Sequence, residues 1–247
     1  MKIGIIGGSG LGKLNLFQNY KELDIDTPYG KPGAAIISGS LLNKEILILA
    51  RHGREHTIPP SQVNYRANIA ALKACGCTHI LATTACGSLR EEIQMGDFVI
   101  LDQFIDFTRK RINTFYESFE PGLAMHEPMA DPFDEFLRNI LIRSAIVHNA
   151  RYHEKGTVVT IEGPRFSTRA ESHLFRLWGA DVVNMTIATE AALAKEAHIP
   201  YAAIAVSTDY DCWKNDTESV SWEKVTENFS KSLGKVTDIL LKAIELL

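Results

Sequence analysis

The 247-residue chain carries oxyanion-binding chemistry at the ends of several strand-like runs. EILILARHG is a continuous apolar run that stops at Arg51 and His52, followed by Gly53. A guanidinium beside an imidazole at that point suits an oxyanion, because arginine's planar fork can grip two oxygens at once. IGIIGGSGLGKL runs from a strand into glycines, which let backbone N–H groups close on an anion, and Ser9 adds a hydroxyl. LATTACGS supplies the Thr84 hydroxyl and, at small Ala85 and at Gly87, accessible backbone amides. VVNMTIATE ends in Met185 and Thr186, and Thr186 stands at the entrance of an Ala-rich helix, where free N–H groups favour anions. Taken singly, each strand end is as readily a cap, a turn or a surface charge. Together the four favour one phosphate site, because ligands of open α/β sheets collect at the carboxyl ends of strands.

The glycine-rich loop has a competing reading. Gly7, Gly12 and Lys13 nearly complete the triphosphate-binding pattern GxxxxGK[ST], and FVILD could supply an acidic strand end at Asp102. Leu14 stands where a hydroxyl would have to bind magnesium, which weakens a triphosphatase substantially. The dinucleotide pattern GxGxxG fails as well, since Gly8 and Gly10 would require glycine at Lys13.

The elements that must hold these ends follow from the hydrophobic pattern. Short apolar runs at 3–7, 45–50, 78–84, 97–102, 156–163, 180–185 and 201–207 read as strands buried on both faces. Helical stretches alternate with them. Ser61 opens a run with Val63, Ala67, Ala70, Ala71 and Ala74 at helical spacing. Thr168 and Glu171 fit a capping box, with Gly179 at the far end. From Ser221 onward a long amphipathic helix is expected, with Val225, Phe229, Leu233, Val236, Leu240 and Ile244 on one face. The alternation means a single α/β domain over residues 1–247. Segment 103–132 has no clear periodicity and holds Pro121, Gly122, Pro128 and Pro132; loops that long tend to be functional or to meet a partner.

Composition narrows the class. A net charge of −4 and 45% apolar residues fit a globular protein and offer no basic footprint for nucleic acid. No apolar run reaches membrane-spanning length. KIGIIGG is too short for a secretory signal, and Cys75, Cys77, Cys86 and Cys212 lack zinc-ribbon spacing, so a cytoplasmic protein with free thiols is expected.

From Ile3 to about Trp213 the chain resembles the 5′-methylthioadenosine phosphorylase branch of the trimeric purine nucleoside phosphorylase family. The resemblance rests on GIIGGSG, DTPYGKP, LARHGREH, PPSQVNYRANI, TTACGSLREE, DQFID, TIEGPRFSTRAES, NMT and TDYDCW, in that order. It implies the phosphorylase fold, a central mixed β-sheet flanked by helices. It implies phosphate held by Ser9, Arg51, His52, Thr84, the backbone at Ala85, and Thr186. The purine pocket falls on Phe166, Ser167, Asp209 and Asp211, with Met185 against the ribose and Asn184 beside it. His126 is expected to reach into a neighbour's site across a homotrimer interface. Inorganic phosphate is then a co-substrate, and no cofactor or metal is expected.

Such an enzyme would cleave the ribosyl–nitrogen bond of 5′-methylthioadenosine or a related adenine nucleoside, releasing adenine. Asp209 is the candidate acid for the departing purine, with a pKa raised by burial and by Asp211, which would accept from the exocyclic amine. Adenosine or methylthioinosine remains an alternative main substrate, and a purine-nucleoside binding protein the non-enzymatic one. Three departures bear on the choice. Thr189 replaces the branch's proline before a retained Glu190, a change expected to alter only the helix entry. Members of the branch run past the position of Leu247 with a segment over the substrate's 5′ group. Trp222 stands where a smaller apolar residue is usual near that group. Ser167 and Trp222 are therefore the specificity candidates.

Overall fold

The computed structural model describes residues 1–8, 17, 19–214 and 220–247. Its centre is a mixed β-sheet whose spine runs β2 (Tyr20–Leu23), β3 (Ile36–Leu41), β4 (Lys44–Ala50), β1 (Lys2–Gly7), β5 (His79–Ser88), β10 (Val182–Asn184), β9 (Thr157–Ile161) and β7 (Gln103–Phe107). A branch leaves β5 through β11 (Tyr201–Asp209), β6 (Phe98–Ile100) and β8 (Tyr152–His153). β1 is parallel to β4 and β5, and β11 is parallel to β5. β10 runs antiparallel to β5.

The apolar runs form buried strands because helices cover both sheet faces. Successive residues of β1 point to opposite sides. Ile3 and Ile5 pack with α2 (Glu135–Val147) and α5 (Trp222–Leu246), through Leu137, Leu141, Val236 and Leu240. Ile6 packs on the other face with Ile69 and Leu72 of α1 (Tyr65–Ala74) and with Ile187 and Ala191 of α4 (Ile187–Glu196). A smaller core under α3 (Arg169–Leu177) joins Phe175, Val159, Val183 and Trp213.

The capping box at Thr168 and Glu171 is present, and the Ser221 side chain caps α5 by accepting from the Lys224 N–H. The start of α1 differs from the expectation at Ser61. Residues Pro60–Gln62 form one 3₁₀ turn, and Asn64 caps α1, its side-chain oxygen accepting from the Ala67 N–H at 3.1 Å. Val63, extended at φ −63° and ψ 128°, ends that turn and delays the helix. The supposed loop 103–132 begins with strand β7, whose short alternating run QFIDF gave too few residues to show a period.

One topological detail creates the site. On one flank of β5, β1 pairs with residues 79–82, and β10 arrives from the opposite direction to pair at Gly87 and Ser88. A gap therefore opens beside Thr83–Cys86, between the carboxyl ends of β1 and β10. The neighbouring β4 and β11 bring their own carboxyl ends, Arg51 and Asp209, to the same side. Strands that part in this way leave a crevice for a ligand.

Candidate active site

A cavity of about 460 Å³ opens at this divergence, a volume suited to a small-molecule ligand. Arg51, His52, Thr84, Ala85, Phe166, Ser167, Asn184, Met185, Thr186, Asp209, Asp211 and Trp222 all line it. Those are the residues singled out from sequence, with two exceptions. Ser9 lies outside the described residues. His126 is exposed on the surface, edge-on to Phe119 at 5.6 Å, and does not line this cavity.

The anion-binding end is built on a buried ion pair. Arg51 follows β4, its N–H bonded to the Gly7 carbonyl at 2.9 Å. Its Nε and Nη2 donate to the two carboxylate oxygens of Glu190 at 2.7 and 2.8 Å, and Nη1 donates to the Thr83 carbonyl at 3.1 Å. The Tyr201 hydroxyl donates to Glu190 Oε1 at 2.7 Å. Burial alone would lower the Arg51 pKa, yet the Glu190 carboxylate raises it and keeps the guanidinium charged. The sequence reading noted that Glu190 was retained but missed this clamp. A carboxylate on the apolar face of ATEAALA requires a buried cation, and that requirement was the available signal.

Hydroxyls complete this end. Thr186 precedes α4 as its N-cap, yet its side chain makes no capping bond. Its buried Oγ1 lacks any hydrogen-bond partner, and it lines the cavity, so it is open to a ligand. Asn184 is locked in place: its Oδ1 accepts from Thr160 Oγ1 at 2.8 Å and its Nδ2 donates to Thr84 Oγ1 at 3.3 Å. The amide thus orients Thr84. His52 gives Nδ1 to the Ile58 carbonyl at 2.9 Å. Its ring faces His56 at 4.4 Å, and His56 in turn faces Trp222 at 4.8 Å. Trp222 is half exposed, and its ring joins the cavity wall instead of packing under its own helix.

The opposite end carries carboxyl groups, with no lysine or arginine beside them among the described lining residues. β11 shifts register between Ser207 and Asp209, an irregularity that re-aims the side chains at its end. Asp209 Oδ1 accepts from the Asp211 N–H and Oδ2 from the Thr208 hydroxyl, both at 2.8 Å. Burial raises the Asp209 pKa to about 6, against these two hydrogen bonds and with help from the Asp211 charge. Burial likewise raises Asp211, opposed by the nearby Ser172 and Ser167 hydroxyls. Gly87 makes this packing possible: a Cβ there would lie 2.8 Å from Asp209 Oδ1 and 3.2 Å from Asp211 Cβ. Sequence reading valued Gly87 for its amide; its main service is the absent side chain.

The walls between the two ends are apolar, from Met185, Val183, Phe166, Val225 and Phe229. Val225 and Phe229 were assigned from sequence to the core face of the last helix, and they line the cavity as well. The triphosphatase reading loses its acid, because Asp102 is not a lining residue and accepts from the Gly156 N–H at 2.9 Å. Among the described residues no cluster of acids, cysteines and histidines could hold a metal ion.

Comparison with known proteins agrees with this geometry. The model of the phosphorylase superfamily matches residues 2–245. The S-methyl-5′-thioadenosine phosphorylase of Xenopus tropicalis is 56% identical over 99% of this chain and 88% of its own. The methylthioadenosine phosphorylase of Schistosoma mansoni, solved with adenine, superposes with a TM-score of 0.95 at 47% identity, over 100% of this chain and 91% of its own. A mutant of the Schistosoma mansoni adenosine/methylthioadenosine phosphorylase, solved with methylthioadenosine, gives a TM-score of 0.93 at 46% identity, over 100% and 91%. The chain belongs to the phosphorylase superfamily, in its methylthioadenosine phosphorylase branch.

Proposed function

We propose that the protein is a pentosyltransferase that cleaves 5′-methylthioadenosine with inorganic phosphate, giving adenine and 5-methylthioribose 1-phosphate. The observation that carries this reading is one cavity with two unlike ends: a clamped guanidinium with an unpartnered threonine hydroxyl, and a pair of carboxyl groups with raised pKa.

Phosphate at the first end is held by Arg51, Thr84, the Ala85 backbone, Thr186 and His52, with Ser9 completing the set. Held beside the anomeric carbon, it stabilises the positive charge that builds on the ribose as the ribosyl–nitrogen bond breaks, and then bonds to that carbon. Such positioning turns a two-body encounter into a local one, a gain of up to about 7–11 kcal/mol in ideal cases. The electron pair of the broken bond leaves on the purine. Asp209, whose carboxyl stays protonated up to about pH 6, gives its proton or a strong hydrogen bond to the imidazole ring of the base. Asp211 accepts from the exocyclic amine, which favours adenine over a 6-oxopurine that would set oxygen against oxygen. No cofactor or metal takes part.

The same family resemblance supports a homotrimer. Segment 103–132 exposes Ile112, Phe119, Leu123 and Met125 along with His126, which rests against Phe119, and exposed apolar side chains suit a second copy that would receive that histidine. The four cysteines are free thiols, which suits the reducing cytoplasm. Adenosine is the second reading for the substrate, because Trp222 narrows the wall assigned to the 5′ group.

The test is a product assay with methylthioadenosine, adenosine and methylthioinosine, each with and without phosphate. Phosphate-dependent release of adenine is expected, fastest from methylthioadenosine. Nucleoside binding without release would leave only a binding protein, and release without phosphate a hydrolase.

A further inference from the structure

The described residues at the phosphate end of the cavity offer little net positive charge. Arg51 is the one lysine or arginine among its described lining residues, and Glu190 already pairs with it through two bonds, held in turn by Tyr201. Three of the five guanidinium N–H groups are taken by Glu190 and the Thr83 carbonyl, so Arg51 meets the anion mainly as a hydrogen-bond donor.

His52 stands beside it with a defined tautomer. A carbonyl oxygen only accepts, so the 2.9 Å contact from Nδ1 to the Ile58 carbonyl places the hydrogen on Nδ1. Nε2 has no hydrogen-bond partner among the described residues, and the ring lines the cavity. The ionisable groups that act on this ring are Arg51, His56 and Arg111, two cations and a second imidazole, while the Trp222 ring behind His56 carries no charge. No carboxylate is among them. Burial first, and then the Arg51 charge, push His52 down to about 3, so at neutral pH Nε2 presents a lone pair.

A lone pair facing an anion's oxygen repels it unless a hydrogen lies between them. We propose that the anion subsite is selective for an oxyanion that carries its own proton, with His52 Nε2 accepting the hydrogen bond from the anion's hydroxyl. Phosphate meets this condition at neutral pH, both as the monoanion and as the hydrogenphosphate dianion. Sulfate has the same shape and charge as the dianion but no hydrogen, so it binds only if His52 first takes up a proton. The inference rests on the phosphate reading above and adds the protonation state of the species that is bound.

Calorimetric titration of the full-length protein with phosphate and with sulfate tests it without turnover. Phosphate is expected to bind at least about 10-fold more tightly than sulfate at pH 7.5, because sulfate must either face the bare lone pair or first protonate His52. Sulfate affinity should fall about tenfold per pH unit between pH 6 and 8, because its binding takes up one proton. Phosphate affinity should show no such fall. In His52→Gln, whose side-chain amide can offer an N–H to either anion, the phosphate-to-sulfate ratio should shrink toward one. His52→Ala, checked for folding by circular dichroism, should shrink it as well by removing the acceptor. Equal affinities at pH 7.5, or a ratio untouched in both variants, would overturn the proposal. Failure of the phosphorylase reading looks different: adenine release that ignores phosphate, whatever the sulfate ratio.

Discussion

The two ends of the cavity solve the problem of a buried charge in opposite ways. At the anion end, the Glu190 carboxylate is met by Arg51 at 2.7 and 2.8 Å, and Tyr201 adds a third contact. At the base end, no cation is among the groups that shift Asp209 or Asp211, and burial raises both. One end is therefore fixed and charge-balanced, suited to hold an anion without changing its own charge. The other is poised to hold or release a proton. The same chemical change, acid to amide, should have opposite consequences for stability at the two ends.

The largest effect is expected at the base end. Asp209→Asn removes the acid for the departing purine, and kcat should fall about 100- to 10,000-fold. Its stability should not fall with it. The folded pKa of about 6 lies above the ordinary 3.8, so folding favours the protonated form. That contribution is fully present below the unfolded pKa and is lost as pH rises through about 6; at pH 7.5 the ionised carboxylate costs up to about 3 kcal/mol. Asparagine relieves this cost while giving up one accepted hydrogen bond. Urea unfolding at pH 7.5 should find the variant as stable as the parent, or up to about 2 kcal/mol more so. Glu190→Gln should do the reverse, losing about 3–5 kcal/mol by leaving the Arg51 charge buried and unpaired. The comparison breaks if both variants shift stability in the same direction.

Acidity sharpens the contrast further. Between pH 5 and 9 the anion end holds Arg51 charged and His52 neutral, so neither group changes state. The fall of kcat/KM for the nucleoside as pH rises past about 6 should therefore belong to Asp209, and should vanish in Asp209→Asn at saturating phosphate. A fall that persists in the variant would move the titration elsewhere.

Gly87→Ala tests the packing behind the acids. The added Cβ would sit 2.8 Å from Asp209 Oδ1, displacing the carboxyl and leaving the Arg51 clamp untouched. The expected result is a loss of kcat of about 100-fold, since displacement of a catalytic group by about 1 Å can cost that much. KM for phosphate should stay close to the parent's. A phosphate KM that rises in proportion would show that the two ends are mechanically joined.

Much of this was legible from local sequence, and the reason is physical. Continuous apolar runs such as EILILA and YAAIAVS admit few readings other than strands covered on both faces, and the polar residues that end them had to sit at one edge of the sheet. Thr168 and Glu171 announced their helix because a capping box is a contact over three residues. The edge strand β2 and its neighbour β3 were not legible, since β2 is a mostly polar run exposed along most of its length. The Arg51–Glu190–Tyr201 cluster escaped too. Its members lie 139 and 11 residues apart along the chain, and only the pairing of distant strands and helices brings them together. The space that Gly87 leaves for Asp209 is also a tertiary fact: a sequence shows that a glycine is present, but not what its missing side chain makes room for.

Trp222 belongs to neither end, and its replacement should have the smallest effect. Its ring leans on His56 at 4.8 Å and walls the cavity from the first turn of α5, while nearly half of it remains exposed. It bears no charge, so it should leave both the pH profile and the anion affinity alone. What its bulk controls is the space for a substituent on the substrate. In Trp222→Val the wall recedes, and larger 5′ groups gain relative to a hydroxyl. The ratio of kcat/KM for methylthioadenosine to that for adenosine should rise about tenfold, the lower end of what one apolar group contributes in a pocket. Stability should drop by about 0.5–1.5 kcal/mol for the lost ring contact. Parallel rate measurements on the two nucleosides decide the matter. An unchanged ratio would return Trp222 to a purely structural place on its helix, and a changed phosphate KM would mean that the His52–His56–Trp222 stack links the 5′ wall to the anion end.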